Sequence, residues 1–458
     1  MSQNGRERSP MSPWREGFRR LRRYPSALVG VLIIAGLVGT ALYAVLAMPY
    51  SEAQKLWRGG EVWYDLPVNA SPVWLDRLTG GQAPPTLKVS SRDAVTTTRE
   101  FENVTIQQLI LPFDFYYQQF PSELNLFLEA DFTQRQPFVR LAWHTPDGLE
   151  IPLGARRIGA AERISISQDQ ILTRRLGLPP QIGLFAQDQS SGVAPGQSPA
   201  VRQGSYQLVL ETVHFEPDTE IRAELVAYGR VHGLAGTDHQ RRDLLVALLW
   251  GTPVALAFGL IAAVGTTVTT LVIAAAGVWY RGWLDAAIQR LTEVNIILPL
   301  LPILVMVGTL YSTSIWLMLG VVVALGIFSA GIKMYRAMLL PIREAPYIEA
   351  ARAYGAGGGR IVLRYMVPRV LPVLIPTFVT LIPTYVFLEA SLAVLGLGDP
   401  VLPTWGKVLH DAQTQSALYH GFYYWVVGPA LLLMLTGLGF AMLGFALDRV
   451  FNPRLRNL

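Results

Sequence analysis

Residues 349–368 hold the one stretch whose residue types and spacing could do chemical work, and that work is docking rather than bond making. It begins Glu349-Ala350-Ala351-Arg352-Ala353-Tyr354-Gly355, passes through a glycine-rich, basic run, and reaches Tyr365-Met366-Val367-Pro368. Glu349, Ala350 and Ala351 are good helix formers after Pro346. Gly355, Gly357, Gly358 and Gly359 end that helix, because glycine takes the left-handed cap conformation cheaply. A short helix surfaced with small residues can lie deep in a partner's groove, since alanine lets backbones approach, with Arg352 and Glu349 meeting charges at the rim. The same spacing also suits a plain amphipathic connector between two membrane helices.

Bond-making chemistry has no comparable support. No phosphate-cradling GxxxxGK(S/T) loop occurs, so nucleotide hydrolysis must reside elsewhere. The six histidines show neither HxxxH nor HExxH spacing, and a GxSxG elbow is absent. With no cysteine, a disulfide framework and thiolate chemistry are excluded. No catalytic residue, metal site or cofactor is therefore expected.

The elements that would position the docking segment are membrane elements. Hydrophobic residues make up 51% of the 458, charged residues 16%, and mean hydropathy is +0.33, a balance that points to lipid. The formal charge of +5 sits beside apolar runs rather than in an aromatic-interleaved groove, which argues against nucleic acid as a partner. Residues 1–26 form an N-terminal tail with Arg6, Arg8, Arg15, Arg19, Arg20, Arg22 and Arg23, and residues 27–48 form an uncharged run. A span needs roughly 20 apolar residues whereas a signal-peptide core has about 7 to 15, so this run is expected to be a retained anchor; Val45-Leu46-Ala47 is the weak cleavage alternative. The arginines place the N-terminus in the cytoplasm.

Residues 49–232 change period. Leu124, Leu126, Leu128, Ala130 and Phe132 alternate with Asn125, Glu129 and Asp131, the two-residue repeat of a half-buried strand. Residues 101–113, 138–143, 205–215 and 220–228 read likewise, with Pro146-Asp147-Gly148 as a turn, and 186–204 as a mobile loop. A β-rich, sandwich-like extracytoplasmic insertion between the first two spans is expected. From 233 to 458 apolar runs return at 244–279, 294–311, 315–334, 370–396 and 424–447, making about six spans in an all-α polytopic domain. Six crossings return the C-terminus, with Arg449, Arg454 and Arg456, to the cytoplasm. The connection holding Lys333, Arg336, Arg343, Arg352, Arg360, Arg364 and Arg369 also falls inside, while 399–420 outside has only Lys407. Arg241 and Arg242 run against that trend, which long translocated domains are free to do.

Glu293 and Glu389 would each cost about 2.5 to 3.5 kcal/mol facing lipid at mid-membrane, so both are expected to face protein or water. Glu389 lies about 28 Å along its helix from Val370, which suggests an interfacial position, with substrate contact as the alternative. Pro372, Pro376 and Pro383 can kink the same helix, for gating or for packing.

Glu349-Ala350-Ala351, three residues, Gly355, nine residues, then Tyr365-Met366-Val367-Pro368 resembles the EAA loop of ABC-importer permeases, EAA-x3-G-x9-I-x-L-P. Tyr365 stands at its Ile position and Val367 at its Leu position. Gly236-Thr237-Asp238 with Arg242-Asp243 resembles the GTDxxGRD motif of the C-type dipeptide/oligopeptide permeases, with Arg241 where that branch usually has Gly. Glu389-Ala390-Ser391-Leu392, Leu395-Gly396-Leu397-Gly398, Pro403, Trp405-Gly406 and Asn452-Pro453-Arg454-Leu455-Arg456 are similar to its later landmarks. The resemblance implies a multi-pass permease subunit of the bacterial inner membrane that hydrolyses no ATP and takes peptides or similar small solutes. Its implied partners are a second permease subunit, ATP-binding subunits, an extracytoplasmic substrate-binding protein and membrane lipid. It further implies that Glu349, Ala350, Ala351, Arg352, Gly355 and Pro368 belong to an ATPase-coupling loop, and it leaves the insertion unassigned. The rival readings are a membrane-anchored binding or sensory protein, and an ion-coupled secondary transporter, which should show inverted repeats that are not found.

Overall fold

The computed structural model describes residues 24–101, 104–187, 199–216 and 219–451, which form two compact units, one of Gly59–Leu245 and one of the remainder. The arginine-rich tail through Arg23, the Asn452 to Arg456 landmark and residues 188–198 of the expected loop lie outside the described residues.

Gly59–Leu245 is the β-rich unit. Its strands are β1 (Leu87–Ser90), β2 (Val95–Phe101), β3 (Val104–Phe115), β4 (Glu123–Asp131), β5 (Phe138–His144), β6 (Glu150–Arg157), β7 (Ala161–Ser165), β8 (Gly204–His214) and β9 (Glu220–Tyr228). They build two antiparallel sheets, ordered β1-β9-β4-β7 and β2-β3-β8-β5-β6. The alternation in β4 buries Leu124, Leu126 and Leu128 against Leu109, Leu111 and Phe113 of β3 and Trp143 of β5, so both sheets share one apolar core. Gly148 adopts φ +78° and donates its N–H to Thr145 O at 2.9 Å, closing the turn between β5 and β6. The described ends of segment 186–204 are not free. Ala186 pairs with Val201, and Arg202 N donates to Phe185 O at 2.7 Å, because buried Phe185 packs on Phe115 and Tyr206.

The base of this unit is built from Gly236-Thr237-Asp238 and Arg241-Arg242-Asp243. Thr237 Oγ1 donates to Pro67 O at 2.7 Å and accepts from Ala70 N at 2.9 Å. Buried Asp238 accepts from Arg242 Nε at 2.5 Å and from the amides of Gln240 and Arg242, both at 2.8 Å. Arg241 has φ +66°, the left-handed region that glycine occupies without penalty and that costs another residue about 1 kcal/mol or more. Three contacts offset that strain: an ion pair with Glu123, a 2.6 Å bond to Leu66 O, and the guanidinium 4.5 Å from the Tyr228 ring centroid. Removing the Asp238 carboxylate takes one counter-charge from a buried guanidinium and the acceptor from the amides of Gln240 and Arg242. We expect Asp238→Ala to destabilise the β-rich unit by about 3 kcal/mol or more, read as a lower melting temperature of the purified full chain in detergent; an unchanged melting curve would refute this.

The second unit is helical. Its principal helices are α1 (Pro25–Ala47), α2 (Leu244–Tyr280), α3 (Gly282–Ile297), α4 (Leu300–Leu310), α5 (Ile315–Ile327), α6 (Gly331–Arg343), α7 (Pro346–Ala353), α8 (Val367–Leu392), α9 (Trp405–Thr414) and α10 (Tyr424–Phe451). Among the described residues, four helices are long and apolar enough to cross a membrane: α1, α2, α10, and the run Gly358–Leu397 that contains α8. The pairs α3 with α4 and α5 with α6 pass the same test together but bend by 79° and 43°. The apolar run at 294–311 thus belongs to a bent pair whose first helix starts at Gly282 and which turns at Leu298-Pro299. Proline lacks an N–H and drives its predecessor out of the helical region, and Leu298 accordingly has ψ 126°. Gly30 lets α1 and α10 touch, since an added Cβ would come within 2.8 Å of Gly439 O.

Candidate coupling helix and membrane cavity

α7 carries the EAA-like residues. It follows Pro346, whose fixed φ suits a first helical position, and it ends in two reverse hydrogen bonds. Gly355 N donates to Arg352 O at 2.9 Å and Ala356 N to Ala351 O at 3.0 Å, the Schellman arrangement, with Gly355 at φ +77°. A side chain at 355 would meet open space but carry the strain of that backbone.

Two faces of α7 separate cleanly. Ile348 and Ala351 are buried in a cluster with Leu271, Ile332, Leu339, Ile361 and Met366. Glu349, Ala350, Ala353 and Tyr354 are exposed, Tyr354 at 92%. Sequence reasoning grouped Ala351 with the docking residues; the structure turns it toward its own bundle and leaves Ala350 and Ala353 as the outward small residues. Arg352 is also engaged within the chain, its guanidinium 4.5 Å from the ring centroid of Trp279 at the end of α2. Gly358 lies against the same indole, where a Cβ would approach Nε1 to 2.3 Å. Trp279 lies more than seventy residues upstream of this loop, and nothing in the loop's own spacing marks it. Beyond Gly358 the chain passes through a π-helical turn, Val362–Met366, into α8, where exposed Pro368 occupies the first turn.

Glu293, Glu389 and Pro383 are not brought together with α7. Glu293 is half-exposed and pairs with Arg290 at 3.0 Å and Lys333 at 3.8 Å, so its charge is compensated at the surface of the bundle. Glu389 is 6% exposed, enclosed by Phe258, Leu392, Leu397 and Asp399, with the Thr404 side chain as its hydrogen-bonding neighbour. The segment 399–404 and the start of α9 fold over that end of α8, so the carboxylate faces protein rather than lipid. Pro383 is buried within α8, which continues through Pro372, Pro376 and Pro383 as one helix.

The two helix breaks enclose a cavity of about 280 Å³ lined by Asn295, Leu298, Leu300, Val322, Leu325, Ser329 and Tyr385, among others. α5 stops at Ile327, so its last carbonyls lose their intrahelical partners. Asn295 Nδ2 donates to Leu325 O at 2.8 Å and Phe328 O at 3.2 Å, and Thr270 Oγ1 reaches Ile327 O at 3.0 Å and Gly326 O at 3.3 Å. Tyr385 of α8 donates to Thr266 Oγ1 at 3.2 Å. Arg336 grips Asp285 with both carboxylate oxygens engaged, at 2.7 to 3.1 Å, tying α6 to α3. The lining residues are neutral, and their polar groups are amide, hydroxyl and backbone. We expect Asn295→Leu and Thr270→Val each to lower stability by about 1 to 2 kcal/mol, the cost of stranding carbonyls away from water. Unfolding midpoints of the full chain in detergent that match wild type for both variants would overturn this accounting.

Residues 255–457 match the family described as binding-protein-dependent transport system inner membrane component. Residues 12–61 match the N-terminal TM domain of oligopeptide transport permease C. Residues 62–254, which hold nearly all of the β-rich unit, lie between the two matches. The glutathione transport system permease protein GsiD of Pectobacterium atrosepticum is 31% identical over 226 residues, 48% of this chain and 73% of that relative. GsiD of an Escherichia coli O6:K15:H31 strain is 32% identical over 230 residues, covering 48% and 72%. GsiD of Shigella sonnei matches to the same extent.

Proposed function

Because this chain belongs to the peptide-type permeases of binding-protein-dependent ABC importers, we propose that it couples to a separate ATP-binding subunit through the outward face of α7. The chain is a transport subunit, and the alternative of a membrane-anchored sensory protein finds no support in these matches. The observation that carries the coupling proposal is the pairing of an exposed, small-sided face, Ala350 and Ala353, with a buried face, Ile348 and Ala351, on one short helix. The first admits a partner's groove closely; the second welds the helix to the bundle. Glu349 and Tyr354 stand at the rim of that contact.

In this reading each bent pair is one span, so six crossings bring both termini to the cytoplasmic side with α7 and leave Gly59–Leu245 outside. ATP-driven closure of the ATP-binding subunits tilts α7. Its packing with the start of α8 in one apolar cluster carries the motion to Tyr385 and the wall of the cavity, exchanging inward-open and outward-open states. A second permease subunit supplies the facing half of the pathway. The cavity offers neutral hydrogen-bonding groups and no charge, which suits the backbone of a small peptide; glutathione, named for the relatives, is a compound of that class. An extracytoplasmic binding protein delivers the substrate, and the β-rich unit is the surface on which it rests.

The test is uptake by the assembled transporter in proteoliposomes. Ala350→Trp and Ala353→Trp fill the outward face without touching the bundle, and are expected to reduce uptake at least tenfold while insertion stays normal. ATP hydrolysis should lose its stimulation by loaded binding protein. Wild-type uptake by both variants would rule out this face. Ala351→Asp is the wrong probe, since it places a charge in the chain's own core.

A further inference from the structure

The β-rich unit carries a compact apolar patch beside the point where the chain enters a membrane span. The short helix Val73–Thr79 exposes Trp74 and Leu78, four residues apart and so on one face, with exposed Arg77 between them; Leu78 is 78% exposed. Leu234, 69% exposed, stands in the middle of the turn 233–235. Trp74 Nε1 donates to Leu234 O at 2.8 Å and Val73 N donates to Gly233 O at 3.1 Å, so helix and turn form one surface. Two residues beyond Leu234, Gly236 O accepts from Leu244 N at 3.0 Å. Leu244 is the first residue of α2, a helix long and apolar enough to cross a membrane.

The polar atoms of the patch are already paired within the chain, which lowers the cost of taking it out of water. The indole N–H is held by Leu234 O, Thr79 Oγ1 by Leu75 O and Asp76 O, both at 3.1 Å, and Asp76 Oδ1 accepts from Ala83 N at 3.3 Å. What faces outward is an indole ring, two leucine side chains and a guanidinium on an aliphatic stem. Tryptophan gathers at the headgroup level of a bilayer, and an arginine stem lies along apolar surface while its charge reaches the polar layer. Four side chains are far fewer than the roughly 20 to 30 residues that a specific protein interface uses on each side. A lipid surface needs no such matched area, since binding grows with whatever apolar surface and positive charge are presented to it.

We propose that this patch rests on the outer leaflet of the bilayer, with Trp74, Leu78 and Leu234 entering the headgroup layer and Arg77 beside lipid phosphate. The β-rich unit is then held against the membrane by its own surface as well as by its two chain connections. The choice of leaflet rests on the six-span reading; contact with lipid does not.

The chain has no cysteine, so single labels can be placed at will. Leu78→Cys, Leu234→Cys and the reference Phe101→Cys are each labelled with a nitrobenzoxadiazole dye in the full chain and placed in nanodiscs of phosphatidylethanolamine and phosphatidylglycerol, with and without lipid bearing a nitroxide on its headgroup. Phe101 is exposed but pairs with Val104, next to the Thr105–His214 pair, at the end of the unit where β9 begins. From there β9 runs nine residues, roughly 25 to 30 Å, toward Tyr228 and the patch. The nitroxide lipid is expected to remove most of the fluorescence at 78 and 234, with blue-shifted emission, and little at 101. The two test sites lie on separate segments, so misfolding of one variant leaves the other to decide. Quenching at 78 and 234 no greater than at 101 overturns the proposal. So does quenching that vanishes in the complete transporter, its other subunits stripped of cysteine, because a protein then covers the patch. Nanodiscs expose both leaflets, so the result is independent of the six-span reading, and uptake by the Ala350 and Ala353 variants tests the coupling proposal separately.

Discussion

The arrangement of the helical unit depends on how the broken end of α5 satisfies its carbonyls. In hydrocarbon there is no water to take up a freed backbone group, so a helix break survives only where side chains or neighbouring backbone replace the lost bonds. Here Asn295, at the end of α3, and Thr270, in α2, reach across to the carbonyls of residues 325–328. One consequence is geometric: α2, α3 and α5 are pinned at one point, and both bends open toward the same cavity. A second is directional, since α6 leaves the break toward Asp285, and its bidentate grip on Arg336 sets where α7 begins.

From that point the loop is tied closely to its own bundle. α7 is anchored by Ile348 and Ala351, braced on Trp279 through Arg352 and Gly358, and capped by two reverse bonds at Gly355. A rotation of α7 would therefore carry the C-terminal end of α2 and the N-terminal end of α8 with it, because independent motion would expose Ile348 and separate the Arg352 guanidinium from its ring. Between α7 and α8 the backbone is irregular at residues 354–357 and again at the π turn Val362–Met366, and irregular turns of this kind are where helices yield.

Much of this was legible in residue order, and the omissions have physical causes. Strands β4, β5, β8 and β9 announce themselves because one face is buried and the other wet. β2, Val-Thr-Thr-Thr-Arg-Glu-Phe, is exposed along its length, so no alternation marks it. The break at Leu298-Pro299 was hidden by hydropathy, which counts apolar residues without regard to backbone direction, although the proline itself was visible. For α7 the residue types suggested docking but not which alanine faces out; Ile348, three positions before Ala351, was the available sign of the inward face. Arg241 reads in sequence as a departure from glycine, and only the fold shows that its positive φ persists and that Glu123, Leu66 and Tyr228 offset the strain.

The large insertion is compatible with the family's helical core because it closes on itself. A Cβ at its first residue, Gly59, would lie 3.8 Å from the Arg242 side chain near its last. Ser71 bridges to Val231, Thr237 bonds Pro67 O, and the Tyr228 hydroxyl donates to Tyr64 O. Chain entering at one point thus leaves at nearly the same point, which is what a short connection between two spans would also require. Lengthening a loop costs only logarithmically in closure entropy, and here folding of the β-rich unit supplies its own core to offset it. The motif around Asp238 and Arg242 is then doubly employed: it leads into α2 and seals the base of a body the family matches leave uncovered. That double use accounts for an arginine holding the position where the resemblance expects glycine, since a glycine there would relax the backbone but give the β-rich unit nothing to hold.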